Sequence, residues 1–145
     1  MKRSAGFTLI ELVIVIIILG ILAVTAAPKF LNLQGDAREA TLKGMKAAME
    51  SSASIVYSKA VIKGLETSSA ATVDSIETAY GYPKATSAGI GATLDISKGD
   101  WTPASSADKT YIMTPAGAPS SCTVTYKEAE AGKRPVVTAV DASKC

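Results

Sequence analysis

The chain reads as an α+β protein: a long, kinked N-terminal helix packed on a small antiparallel β-sheet. Three observations carry that expectation. Residues 12–27 hold no charge, and residues 7–27 hold one, Glu11. From Asp36 onward, apolar and charged residues recur at helical spacing. The last third alternates or clusters β-branched and aromatic residues between turns rich in Pro and Gly. One long helix followed by a run of strands makes an α+β roll.

The apolar run of about 21 residues is close to the roughly 20 needed to cross a bilayer as a helix. Lys2 and Arg3 precede it and place that end on the cytoplasmic side. The run exceeds the usual apolar core of a secretory signal, and no small-x-small cleavage site precedes a polar start, so the run is retained. Glu11 is the odd residue. A carboxylate at this depth costs about 2.5–3.5 kcal/mol on insertion scales. Compensating its own helix N-terminus is worth only about 0.3–1 kcal/mol. A cationic partner is therefore expected. A cut between Gly6 and Phe7 creates one, the new α-amino group of Phe7. Glu11 lies one helical turn from that amine in its own chain. It also reaches the amine of a neighbouring chain shifted along the helix axis, and this intermolecular pair is the preferred reading.

The helix is expected to continue to about Ser58, roughly 78 Å in all, too long for a simple span. Gly20 weakens it by about 1 kcal/mol relative to Ala. Pro28 removes the hydrogen bond to the Val24 carbonyl and predicts a bend. Helical periodicity resumes after Pro28 without a turn signal, which favours one kinked helix over two. Asp36, Glu39, Lys43, Lys46 and Glu50 form a charged stripe, with Glu39 and Lys43 a favourable pair. Leu42, Met45, Met49, Ala53 and Val56 form an apolar stripe, expected to pack on the sheet. Ala37, Ala40, Gly44, Ala48 and Ser51 form a third, of small residues, which permits close approach of another helix.

Gly64, Thr67, Ser68, Ser69 and Thr72 read as loop. Residues 73–80 read as a short helix ended by Gly81-Tyr82-Pro83. Residues 87–99 are ambiguous, with Ile90, Leu94 and Ile96 as the apolar anchors. Trp101 is expected over the sheet edge. Strands are expected at 110–114, 123–126 and 136–140, with turns at 115–119 and 131–135. The expected organisation is a leader at 1–6, a membrane-spanning half-helix at 7–28, and a globular part at 29–145 that includes the rest of the helix.

The chain has no histidine, which removes the commonest general base and the commonest metal ligand. Its serines and threonines have no obvious base beside them. Glu128 and Glu130, taken as strand neighbours, would face one side and repel, as on a solvated face. Asp95, Asp100 and Asp108 share a loop region, but their spacing matches no ligand rule. No catalytic residue, metal or cofactor is assigned, and the chain is not expected to be an enzyme. Net charge is +2, and loss of Lys2 and Arg3 with the leader leaves 13 basic against 13 acidic side chains. That balance gives no electrostatic basis for binding nucleic acid.

Gly6-Phe7-Thr8-Leu9-Ile10-Glu11, followed by an unbroken apolar run, resembles the N-terminal signal of type IV pilins and type II secretion pseudopilins. The six-residue basic leader is typical of the type IVa class. The stretch 20–34, with Gly81-Tyr82-Pro83 and the terminal cysteine pair, is similar to the mannose-sensitive haemagglutinin branch of that family. The motif itself covers the first thirty or so residues, and a weaker likeness runs over most of the chain.

The resemblance implies the type IV pilin fold and a major structural subunit of an adhesive pilus, or fimbrium, serving surface and biofilm attachment. A membrane-embedded prepilin peptidase would cut between Gly6 and Phe7 and N-methylate Phe7. The subunit would wait in the inner membrane as a single-pass precursor. Assembly machinery there would move it into an extracellular helical filament of identical subunits, with Glu11 directing assembly. Head-to-tail contacts that do not close generate such a filament. Gly20 and Pro28 are where the helix is expected to loosen on packing. Surface glycans enter as partners through the resemblance alone. In an exported chain, Cys122 and Cys145 are expected to pair. Such a bridge closes about 24 residues and contributes on the order of 3 kcal/mol. It resembles the disulfide-bounded region of pilins and favours a pilus over the short periplasmic fibre of a pseudopilin. A signal-anchored periplasmic binding module stays open as a different class, and it predicts that Glu11→Ala is harmless. An anchored enzyme is disfavoured by the missing histidine.

Overall fold

The computed structural model describes residues 6–97 and 99–145, without the side chains of Leu31 and Asn32. The positions 1–5, with Lys2 and Arg3, lie outside the described residues. The elements in order are helix α1 (Leu9–Ile62), strands β1 (Ala71–Val73), β2 (Ile76–Ala79) and β3 (Tyr82–Pro83), and a 3-10 turn at Ile90–Thr93. Strands β4 (Trp101–Ser106), β5 (Thr110–Pro115), β6 (Val124–Lys127) and β7 (Val136–Ala139) follow, then a 3-10 turn at Ala142–Lys144. The architecture is α+β. Contacts divide it into two units, one reaching Gln34 and the other spanning Gly35–Cys145.

The first unit is the apolar part of α1. Helix continues through Gly20 and through Pro28, so the proline does not end it. Its large apolar side chains are exposed: Ile10, Ile16, Leu19, Ile21 and Val24 are each more than half exposed.

In the second unit α1 runs four residues past the expected Ser58 and stops for a local reason. Gly64 takes a left-handed φ of 66°. Its N–H donates to the Val61 carbonyl at 3.0 Å, and the Leu65 N–H donates to the Ala60 carbonyl at 2.9 Å. These two bonds close a Schellman cap, which satisfies carbonyls that the last turn leaves free.

The apolar stripe of α1 is the helical half of the core. Leu42, Met45, Met49, Ala53 and Val56 are buried, as their spacing requires. The small residues Ala37, Ala40, Gly44, Ala48 and Ser51 are exposed. The other half of the core is a four-stranded antiparallel sheet in the order β4-β5-β6-β7. Strand alternation turns Tyr111, Met113, Val124, Tyr126 and Val137 inward. The three strands expected near 110, 123 and 136 are all present.

Two expectations are corrected. Residues 73–80 form no helix but a hairpin, β1–β2, in a second sheet ordered β1-β2-β3. Val73 pairs with Ile76, and the two residues between them, Asp74 and Ser75, both have positive φ. This is the two-residue turn that matches strand twist. Tyr80 and Gly81 repeat it between β2 and β3. The short apolar spacing from Ile76 to Tyr80 fits either period, and the turn chemistry decides. Glu128 and Glu130 do not share a strand face either, since β6 ends at Lys127. The Glu128 carboxylate accepts from the Ala85 N–H at 3.1 Å, whereas Glu130 pairs with Lys133 at 2.8 Å.

Strand β4 is an addition to the expected strands. Every residue of it beyond Trp101 is exposed, so no burial pattern marks it. It forms because six consecutive residues find partners on β5. Trp101 opens this edge strand and packs half-buried against the core, as expected of it. Tyr126 joins the two sheets: its buried hydroxyl donates to the Pro83 carbonyl at 2.7 Å. Burial first, and then the Glu128 charge, push its phenol far above the usual range.

Candidate processing and assembly site

Gly6, Phe7 and Thr8 precede the first helical residue, Leu9. Phe7 is 90% exposed. Among the described residues, a Cβ on Gly6 would meet no atom within 4 Å, so their packing does not demand glycine there. The Gly6–Phe7 peptide is thus presented on an exposed, non-helical segment.

Glu11 and Thr8 close on each other. The Glu11 Oε2 accepts from the Thr8 N–H at 2.8 Å and from the Thr8 hydroxyl at 2.8 Å. The Thr8 Oγ1 in turn accepts from the Glu11 N–H at 3.3 Å. This is a capping box, in which two residues three apart satisfy each other's free amides at a helix start. In the single, uncut chain Glu11 therefore serves its own helix end. Thr8 was not singled out from the sequence, although Ser/Thr followed three residues later by Glu is a readable cap signature.

Further along, the Thr25 hydroxyl donates to the Ile21 carbonyl at 3.2 Å and the Leu22 carbonyl at 3.1 Å. Back-bonding of this kind loosens a helix slightly. It lies between Gly20 and Pro28, so three consecutive features weaken one stretch of the ladder. Gly20 itself has open space around it.

The Cys122–Cys145 disulfide is formed, with Cα atoms 4.5 Å apart and a sequence separation of 23. Two neighbouring residues of α1 hold its far end. The Arg38 guanidinium donates to the Cys145 carbonyl, and the Glu39 carboxylate accepts from the Ala142 N–H at 2.8 Å. The Lys43 ammonium beside Glu39, and then that amide, hold the Glu39 carboxyl below the usual range. From the sequence, Glu39 was legible only as a helix charge and Arg38 was not singled out, because their partners lie more than 100 positions away. Among the described residues, no group of three or more His, Cys, Asp or Glu side chains comes together, so Asp95, Asp100 and Asp108 do not converge.

An exposed glycine–phenylalanine junction, a glutamate four residues on and an uncovered apolar helix lie together at the N-terminal end. The family model described as "Prokaryotic N-terminal methylation motif" matches residues 1–27. More particularly, the chain is similar to the "Type IV narrow pilus major component PilA5" of Thermus thermophilus. The two are 45% identical over 65 residues, which is 45% of this chain and 54% of that protein. The chain therefore spans about half the length of that relative. No solved structure matches it. The finer likeness to the haemagglutinin branch rests on the residues alone.

Proposed function

We propose that the chain is the precursor of a major structural subunit of a type IV pilus. The observation that carries this is the uncovered apolar helix directly behind the methylation motif, with Glu11 near its start. The described part of α1 is long and apolar enough to cross a membrane. Its exposed isoleucines, leucines and valines must leave water somewhere. Lipid covers them in the precursor, and identical helices cover them in the fibre. Residues 1–6 are the leader, 7–28 the membrane and fibre-core segment, and 29–145 the outward part.

Cleavage between Gly6 and Phe7 by a prepilin peptidase frees the Phe7 amine, which is then N-methylated. The same cut leaves Thr8 one residue from the new terminus. The frayed end then competes with the capping box for Glu11. In an apolar fibre core, a carboxylate beside an amine on a neighbouring, axially shifted subunit is better satisfied than one capped only by Thr8. Inner-membrane assembly machinery moves the subunit from membrane to extracellular filament. Gly20, Thr25 and Pro28 are where the helix yields during that packing. Surface glycans are the partners through which such a fibre adheres. The subunit acts as a structural polymer unit, not an enzyme, in keeping with the absence of histidine.

Mass spectrometry of filaments sheared from cells tests the reading. The expected species begins at Phe7, carries one methyl group and retains the Cys122–Cys145 bridge. A filament-free cell surface, or mature material that still holds Met1, overturns it.

A further inference from the structure

A concave site of about 220 Å³ lies between Tyr57 of α1, Glu66 in the loop that follows α1, the β2–β3 turn and the loop before β7. Its walls are Tyr57, Tyr80 and Tyr82, its carboxylate is Glu66, and its cations are Lys133 and Arg134. A second hollow of about 260 Å³ shares Tyr82 and Arg134 with it. The site is built rather than incidental. The Tyr57 and Tyr82 rings stack with centroids 4.4 Å apart and planes at 15°. Gly81 allows this stack: with φ of 79°, a Cβ there would sit 2.9 Å from the Tyr57 ring and 3.1 Å from the Glu66 Cα. Tyr80, whose left-handed φ of 51° belongs to the two-residue β2–β3 turn, supplies the third ring.

The chemistry of the lining selects a ligand class. Glu66 Oε2 is buried and has no hydrogen-bond partner. A buried acceptor in that state needs a donor. Lys133 is already paired with Glu130, and no ion pair involves Arg134 among the described residues. An anionic ligand would meet the Glu66 carboxylate. An organic cation would meet Lys133 and Arg134. A neutral ligand with several hydroxyls meets neither penalty: it can donate to Glu66, accept from Arg134 and lay an apolar ring face on tyrosine. Sites that take drug-sized molecules run to about 300–1,000 Å³, so this one suits a single ring.

We propose that this site binds one pyranose unit of a neutral saccharide, with Glu66 accepting from its hydroxyls and Arg134 donating to its oxygens. The proposal rests on the adhesive side of the pilus reading and names a place where a glycan would be held.

Saturation-transfer NMR on the full chain, in a polyoxyethylene-ether detergent that carries no sugar, tests it. The probes are the methyl glycosides of glucose, galactose and mannose, with tetramethylammonium and methyl phosphate as cationic and anionic arms. The expected result is transfer to at least one glycoside, weakened about tenfold by Glu66→Ala and by Arg134→Ala. Arg134 is exposed, so its variant keeps the fold if Glu66→Ala does not. Transfer to no glycoside overturns the proposal, as does transfer to either charged probe alone or glycoside binding that both variants leave intact. Filaments that form without glycoside transfer sink the saccharide site and leave the pilus reading standing. Glycoside transfer from a chain that never enters filaments does the reverse.

Discussion

The Arg38 guanidinium donates through Nη1 to the carbonyl oxygen of Cys145 at 2.9 Å, a contact that spans 107 positions of sequence. Through Nη2 it donates to the Gly117 carbonyl, also at 2.9 Å. One planar fork thus ties α1 to both the last residue and the turn after β5.

Removing that fork leaves two carbonyls to find other donors. Arg38→Ala is expected to lower stability by about 1–3 kcal/mol. Arg38→Lys should not restore it, because a single ammonium cannot reproduce the two-armed geometry. Urea unfolding midpoints of the three proteins check this. Equal midpoints for Lys and Arg would mean that charge alone suffices.

The disulfide and the fork act on the same segment. Cys145→Ser is expected to cost on the order of 3 kcal/mol, from the freedom regained by a loop of 23 positions. Its effect and that of Arg38→Ala should not add, since both hold one end in place. Unfolding of single and double variants, with and without reductant, measures the coupling.

Asp74 sits in the β1–β2 turn and receives hydrogen bonds from Lys63 and, at 2.9 Å, from Lys59. These two ammonium groups, Lys63 first, lower its carboxyl to about 2. A pKa lowered by folding stabilises above the unfolded value and loses that effect as pH falls through the folded one. The contribution is therefore complete above about pH 4 and lost on acidification toward about 2. Asp74→Asn should remove this acid dependence, visible as a flatter curve of melting temperature against pH. High salt should blunt it as well, because the pair is exposed.

Thr8 and Glu11 separate the two roles open to the carboxylate. Thr8→Val removes the cap and should cost the first turn about 1 kcal/mol, while leaving Glu11 able to meet another chain. Filaments are then expected to form. Glu11→Ala should leave cleavage intact and abolish filaments. Immunoblots of the sheared and cell-bound fractions read both outcomes. Normal assembly of Glu11→Ala would leave capping as the whole role of this residue.

Local rules reached a good part of this molecule. The apolar run, the motif at residues 6–11 and the buried stripe of Leu42, Met45 and Met49 are periodic or contiguous signals, so they are visible before folding. The three strands with inward residues were legible for the same reason: alternation is written into neighbouring positions. Where apolar spacing was short, as from Ile76 to Tyr80, two periods fit and the helix reading was wrong. Strand β4 left no burial pattern at all, because an exposed edge strand is defined by its partner's free hydrogen-bonding groups.

Contacts between distant positions belonged to the tertiary structure alone. Nothing near Arg38 announces Cys145, nothing near Glu128 announces Ala85, and nothing near Glu66 announces Tyr57 or Arg134. Chain order constrains spacing within a turn or two of helix or strand. Beyond that, which charge meets which carbonyl depends on how whole elements dock, and docking is a collective outcome of core packing rather than a property of any short segment.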